Sequence, residues 1–211
     1  GGEQKEKTVE EIRAERRAAH LEKEAIKLQE MAGRKPFSVR FDVSDGGEAG
    51  VTGSFVVKVT PKWAPRGADR FLQLVKAGYY DECRFFRVVP GFMAQFGISS
   101  DPAQNTKWRK KKFPDDPGAG VSNQRGTVTF AMAGLDSRTT QLFVNYADNG
   151  KLDEQGFTPF GTVVEGMEAV DGIYSGYGEQ PNQEMIQREG IEYLNKHYPK
   201  LSYVVSATLV G

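Results

Sequence analysis

The side chains that most often carry chemistry are sparse in this chain. His20 and His197 stand far from any serine or cysteine nucleophile motif, and the single cysteine, Cys83, has no base beside it. The sequence holds no His-Glu-x-x-His pattern, cysteine pair or EF-hand loop, so neither a metal nor a cofactor is expected. Its glycines match neither a Walker loop nor a dinucleotide fingerprint. What stands out is three dense blocks, Tyr79 to Gly97, Gly126 to Asn145 and Phe157 to Met167, where arginine and glutamine sit among phenylalanine and methionine. Arginine stays charged and holds its donors in a rigid planar fork. The lack of acid/base or nucleophile chemistry fits a reaction that breaks no covalent bond.

The order and spacing of these blocks resemble those of the cyclophilins. Phe85-Phe-Arg-Val-Val-Pro-Gly-Phe-Met-Ala-Gln-Phe-Gly97 is similar to the family signature Phe-His-Arg-Val-x-x-x-Phe-x-x-Gln-x-Gly, with Phe86 where histidine is common. Ala131-Met-Ala-Gly134 and Thr140-Gln-Leu-Phe143 resemble the family's Ala-Asn-Ala-Gly and Ser-Gln-Phe-Phe segments. Phe160-Gly-Thr-Val-Val-Glu-Gly-Met167 resembles Phe-Gly-x-Val-x-x-Gly-Met. The resemblance covers about Phe37 to Gly211. It implies a peptidyl-prolyl cis/trans isomerase acting on X–Pro bonds of peptides and proteins and assisting protein folding. It further implies Arg87 as the catalytic arginine, with Gln95 as its partner. The substrate would be held by Phe92, Met93, Gln141, Phe143 and Leu152, with Ala131, Met132 and Ala133 along the groove and Phe157 at the rim. Met132 stands where asparagine is frequent, Phe157 where many members carry histidine, and Lys151 where a tryptophan is often found. The last two departures predict weak binding of cyclosporin-type inhibitors.

The elements that must position these residues are read from pattern. Glu3 to Lys35 is rich in Glu, Lys, Arg and Ala, strong helix formers. It carries Glu-first i,i+4 pairs at Glu3–Lys7 and Glu30–Arg34 and a capping box at Thr8 and Glu11. Its apolar positions, Val9, Ile12, Ala19, Ile26, Leu28 and Met31, do not sustain an a/d heptad, so a solvated helix ending at Gly33 and Pro36 is expected. From Phe37 the chain turns to short alternating runs broken by Gly, Pro and Asp, with a hairpin around Asp45-Gly46-Gly47. Helices are expected at Ala64 to Ala77 and Gln183 to His197. Together with the resemblance this predicts a mainly β fold: a closed antiparallel eight-stranded barrel capped by two helices, with an extra charged N-terminal helix. The division is residues 1–35 as a helical extension and 36–211 as the isomerase domain.

The 211 residues carry 28 Lys and Arg against 28 Asp and Glu, so no global field draws nucleic acid or an anionic membrane. No run approaches the roughly 20 apolar residues of a membrane span. The start at Gly1-Gly2 is compatible with a removed targeting segment or anchor, and the compartment, cytoplasm or organelle lumen, is left open. The expected partners are proline-containing peptides and proteins, plus a docking partner for the N-terminal helix, and the expected state is a monomer. Taken singly, Phe92, Met93 and Phe143 read as ordinary core and Arg87 as a surface ion-pair residue. Lys107 to Lys112 and Asp115-Asp116 read as solvated loops, and Cys83 as a small buried residue. Two rivals remain: a binding or scaffold module with little turnover, and a β-barrel carrier of small apolar ligands.

Overall fold

The computed structural model describes residues 7–47 and 50–211. Helix α1 spans Val9–Ala32. Thr8 starts it: the Thr8 hydroxyl accepts from Glu11 N, and the Glu11 carboxylate accepts from Thr8 N, so two otherwise orphaned donors are satisfied. Gly33 ends it, donating to Gln29 O. Arg34 pairs with Asp69 rather than with Glu30, because the helix has already ended at that point. Lys7 reaches Glu15, and the expected Glu3–Lys7 pair lies outside the described residues.

Eight strands form one antiparallel sheet. They are β1 (Phe37–Ser44), β2 (Gly53–Val59), β3 (Arg87–Val89), β4 (Met93–Phe96), β5 (Thr127–Phe130), β6 (Leu142–Asn145), β7 (Pro159–Glu165) and β8 (Tyr203–Val210). The spatial order is β3-β4-β6-β5-β7-β2-β1-β8. The first two strands make the hairpin expected from the Asp-Gly-Gly turn. The sheet curls as a half-barrel. Its end strands β3 and β8 share no ladder; they are linked by the Arg84–Tyr203 bridge and the Phe85 N to Ser202 O bond. The reason is local. The chain leaves its pairing with β8 at Phe85 and begins pairing with β4 at Arg87, so no single strand bonds both neighbours.

Inward positions alternate along the strands, as the period of two requires. Phe41 stacks on Phe55 at 4.9 Å, and Phe71 from helix α2 (Pro65–Lys76) packs against Phe41 and Phe160. Phe41, Phe55, Phe85, Phe96, Phe130 and Phe160 are all buried. This filled interior removes the reading of a ligand-carrying barrel.

More helices are present than the two expected. Among the described residues α3 (Pro102–Trp108), α4 (Lys151–Glu154) and α5 (Met167–Asp171) are short turns that show no sequence period. The expected helix at Gln183 to His197 is two, α6 (Gln183–Glu189) and α7 (Ile191–His197). Gly190 breaks it at φ +57°, where a Cβ would stand 2.2 Å from Ser100 O. These two helices, with Phe86 and Ile98, form a second apolar cluster.

Two loop readings change. Asp116 is not solvated: its carboxylate caps α2, accepting from Arg66 N at 2.7 Å and Gly67 N at 2.8 Å. Its burial raises its pKa, with those two bonds opposing the shift. Asp115 pairs with the buried Arg138. The basic run is solvated as expected at Lys107 and Arg109 to Lys112, although it begins within α3 and Trp108 is buried with Lys111 Nζ 4.5 Å from its ring centroid.

Candidate active site

Strand β4 is buried along its whole length, yet its two faces differ. Ala94 and Phe96 enter the main core; Met93 and Gln95 point the other way and belong to neither apolar cluster. The same holds on β6, where Leu142 and Val144 face the core and Phe143 and Asn145 face out. Antiparallel register then lines up one row across four strands: Arg87 opposite Gln95, Gln95 opposite Phe143, and Phe143 opposite Thr129. Side chains opposite one another on one face are within reach.

Hydrogen bonds tie the polar part of this row together. Arg87 Nη1 donates to Gln95 Oε1 at 3.1 Å, and Gln95 Nε2 donates to Gln141 Oε1 at 2.9 Å. Gln95 is only 6% exposed, so its amide orientation is set by these partners. The Arg87 side chain is 33% exposed. Its donors are thus held by the protein but open to a ligand. Gln141 O also accepts from Ala131 N, which places the segment Ala131 to Ala133 alongside. Ala131 and Met132 are half-buried, and Ala133 is exposed with its N–H bonded to Ser137 Oγ.

The apolar part is shaped by a second network that the sequence reading missed. Phe143 meets Phe157 edge to face at 5.7 Å. Phe157 N donates to Leu152 O, and Phe157 O accepts from Asn123 Nδ2 at 2.9 Å. Asn123 is fully buried: it also donates to Asp153 and accepts from Thr129 Oγ1 and Asn145 Nδ2. Asn145 in turn accepts from Asn149, which also donates to Phe92 O at 2.8 Å. So Phe92, Leu152 and Phe157, with Phe143 packed on Phe157, are joined through one polar frame centred on the buried Asn123 and Asn145. Burial works to raise the Asp153 pKa, but hydrogen bonds from Ser122 and Asn123 outweigh it and hold the carboxyl below the usual range. Nothing in the local sequence marked Asn123 or Asp153, because their partners lie up to 34 residues away. Glu179, on the loop after α5, was also missed: its Oε1 accepts from Arg87 Nε at 2.6 Å.

Cys83 offers no competing chemistry. It is fully buried, and burial pushes its thiol pKa far up. The outer face thus sets a guanidinium, held in an amide row, beside apolar rings on a curled β-sheet.

The chain belongs to the cyclophilin type peptidyl-prolyl cis-trans isomerase/CLD family, which matches residues 40–192. It is 38% identical over 127 residues to peptidyl-prolyl cis-trans isomerase A of Dickeya dadantii, covering 57% of this chain and 66% of that protein. It is 33% identical to peptidyl-prolyl cis-trans isomerase B of Escherichia coli, covering 57% of this chain and 78% of that one. Among solved structures it resembles a cyclophilin type isomerase of Cryptosporidium parvum, with a TM-score of 0.59, 19% identity, and coverage of 84% of this chain and 99% of that one. That last likeness concerns the fold. No helix among the described residues is long and apolar enough to cross a membrane.

Proposed function

We propose that the outer face of β3, β4, β6 and β5 catalyses cis/trans rotation of X–Pro bonds, with Arg87 as the donor that lowers the barrier. An unassisted X–Pro bond exchanges in roughly 10–100 s. When the bond twists, amide resonance is lost and the proline nitrogen regains a lone pair. A charged N–H aimed at that nitrogen then binds the twisted state better than the planar one, which is the requirement for catalysis. Phe92, Met93, Phe143 and Leu152 hold the proline ring, with Phe157 at the rim. Gln95 and Gln141 orient the guanidinium and offer polar contacts to the substrate backbone, and Ala131, Met132 and Ala133 line the path of the preceding residues. The observation that carries this reading is the hydrogen-bonded row Arg87–Gln95–Gln141 beside two buried side chains, Met93 and Phe143, that serve no core.

Arg87→Ala tests it in a protease-coupled or NMR exchange assay on a proline peptide. The expected loss in kcat/KM is roughly tenfold or more, about 1.4 kcal/mol of transition-state stabilisation, with the fold intact. Near-wild-type turnover would overturn the mechanism. A wild-type chain that binds proline peptides without turning them over would favour the binding-module reading. Residues 1–35 are read as an appendage and α1 as a docking arm. In support, Val9, Ile12, Leu21 and Ile26 are exposed along it, while Met31 is buried near its end.

A further inference from the structure

We infer that Glu179 is a positioning residue for Arg87, fixing the side of the guanidinium that Gln95 does not reach; the inference rests on the catalytic reading of Arg87. Arg87 Nε donates to Glu179 Oε1 at 2.6 Å, and Nη2 lies 2.6 Å from the same oxygen. On the opposite side Nη1 donates to Gln95 Oε1. A guanidinium carries five N–H donors. These contacts engage one on each nitrogen and leave two, one on Nη1 and one on Nη2, for a substrate. Held from one side only, the plane can swing on its flexible stem. Held from both, it presents those two donors in one direction, which is the preorganisation that catalysis by hydrogen bonding needs.

The loop that carries the carboxylate is itself anchored on both sides of Glu179. Gly178, just before it, accepts at its carbonyl from Val88 N at 3.1 Å, and Val88 directly follows Arg87. Gln180, just after it, accepts from Tyr198 Oη at 3.1 Å. Tyr177 packs edge-on against Tyr174 at 5.3 Å and Tyr198 at 5.0 Å. Gly178 takes φ +51°, the left-handed region that glycine enters without strain. Glu179 thus sits between two anchored neighbours, on a loop bonded to the strand that carries Arg87. Its side chain is 59% exposed, so the ion pair adds little to stability, and its effect lies in orientation.

Wild type, Glu179→Ala, Glu179→Gln and Arg87→Ala are compared on one proline peptide by NMR exchange, which separates turnover from binding. Glu179→Ala is expected to lower kcat roughly fivefold or more, with KM within about twofold and the melting temperature nearly unchanged. Glu179→Gln keeps an oxygen that accepts from Nε, so it should retain at least about half of wild-type turnover. The Arg87 Nε–H resonance should shift in Glu179→Ala and stay near its wild-type position in Glu179→Gln. Unimpaired or faster turnover in Glu179→Ala, or a loss in Glu179→Gln as deep as in Glu179→Ala, overturns the positioning role. The Arg87→Ala arm separates the two readings. If that variant is fully active, the catalytic reading of Arg87 fails; if it is inactive while Glu179→Ala is unimpaired, only the role of Glu179 fails.

Discussion

Phe143 shows why a single residue type says little without its register. It is 5% exposed, as buried as a core phenylalanine, yet it packs on Phe157 rather than in either apolar cluster. Phe143→Ala should therefore cost less stability than the about 3–5 kcal/mol of a core Phe→Ala change. It should weaken binding of a proline peptide roughly fivefold or more, read as an NMR titration. Unchanged titrations would remove Phe143 from the site. The rim gives a different expectation. Lys151 is exposed, and Phe157 is turned onto Phe143. Neither replaces an indole N–H or an imidazole toward a large cyclic ligand, and losing one such bond costs roughly 1–3 kcal/mol. Cyclosporin should inhibit weakly while turnover stays competent; a nanomolar inhibition constant would show this view of the rim to be wrong.

The elements differ in how much of them could be read from the sequence. Strands β1 and β2 were legible because one face of each alternates into the core. Met93 and Gln95 were legible only through the spacing of their block, since β4 is buried on both faces and shows no alternation. The break at Gly190 was hidden because a lone glycine within a helical pattern does not announce a backbone φ of +57°. The Asn123 frame was hidden for another reason: α4 is four residues long, and its worth lies in bonds to distant residues. That frame gives a prediction at this scale. The Asp153 carboxyl is held below its usual pKa, so the stability it contributes is full above the unfolded value and is lost as pH falls below about 4. Asp153→Ala removes the acceptor for Asn123 at every pH. KM should rise roughly threefold while kcat changes less, because the frame holds Phe157 and Leu152 rather than Arg87. An unaltered KM would detach the frame from the substrate site.

At the scale of the whole molecule, α1 stands apart from the site. It packs on α2, whose further partners are β7 and β8, whereas the site rows lie on β3, β4, β5 and β6. The contact is small: Met31 is 7% exposed, Leu28 is half-buried, and Arg34 pairs with Asp69 on the surface. Burying one such methionine stabilises by about 1.5–3 kcal/mol, and exposed ion pairs add about 0–1 kcal/mol. In a domain of this size each kcal/mol moves the melting temperature about 2–4 °C. A chain starting at Lys35 should therefore remain folded and fully active, with its melting temperature lowered by roughly 5–10 °C. Met31 does cover apolar ground, lying in a cleft with Phe37, Pro61, Pro65, Ala68 and Leu72, so truncation uncovers a patch. Only large exposed apolar patches drive association, so the shortened chain should stay monodisperse. Thermal melts, light scattering and isomerase rates on the full and shortened chains test this. An insoluble or inactive shortened chain would make α1 an integral part of the domain, and the boundary near residue 35 would have to be abandoned.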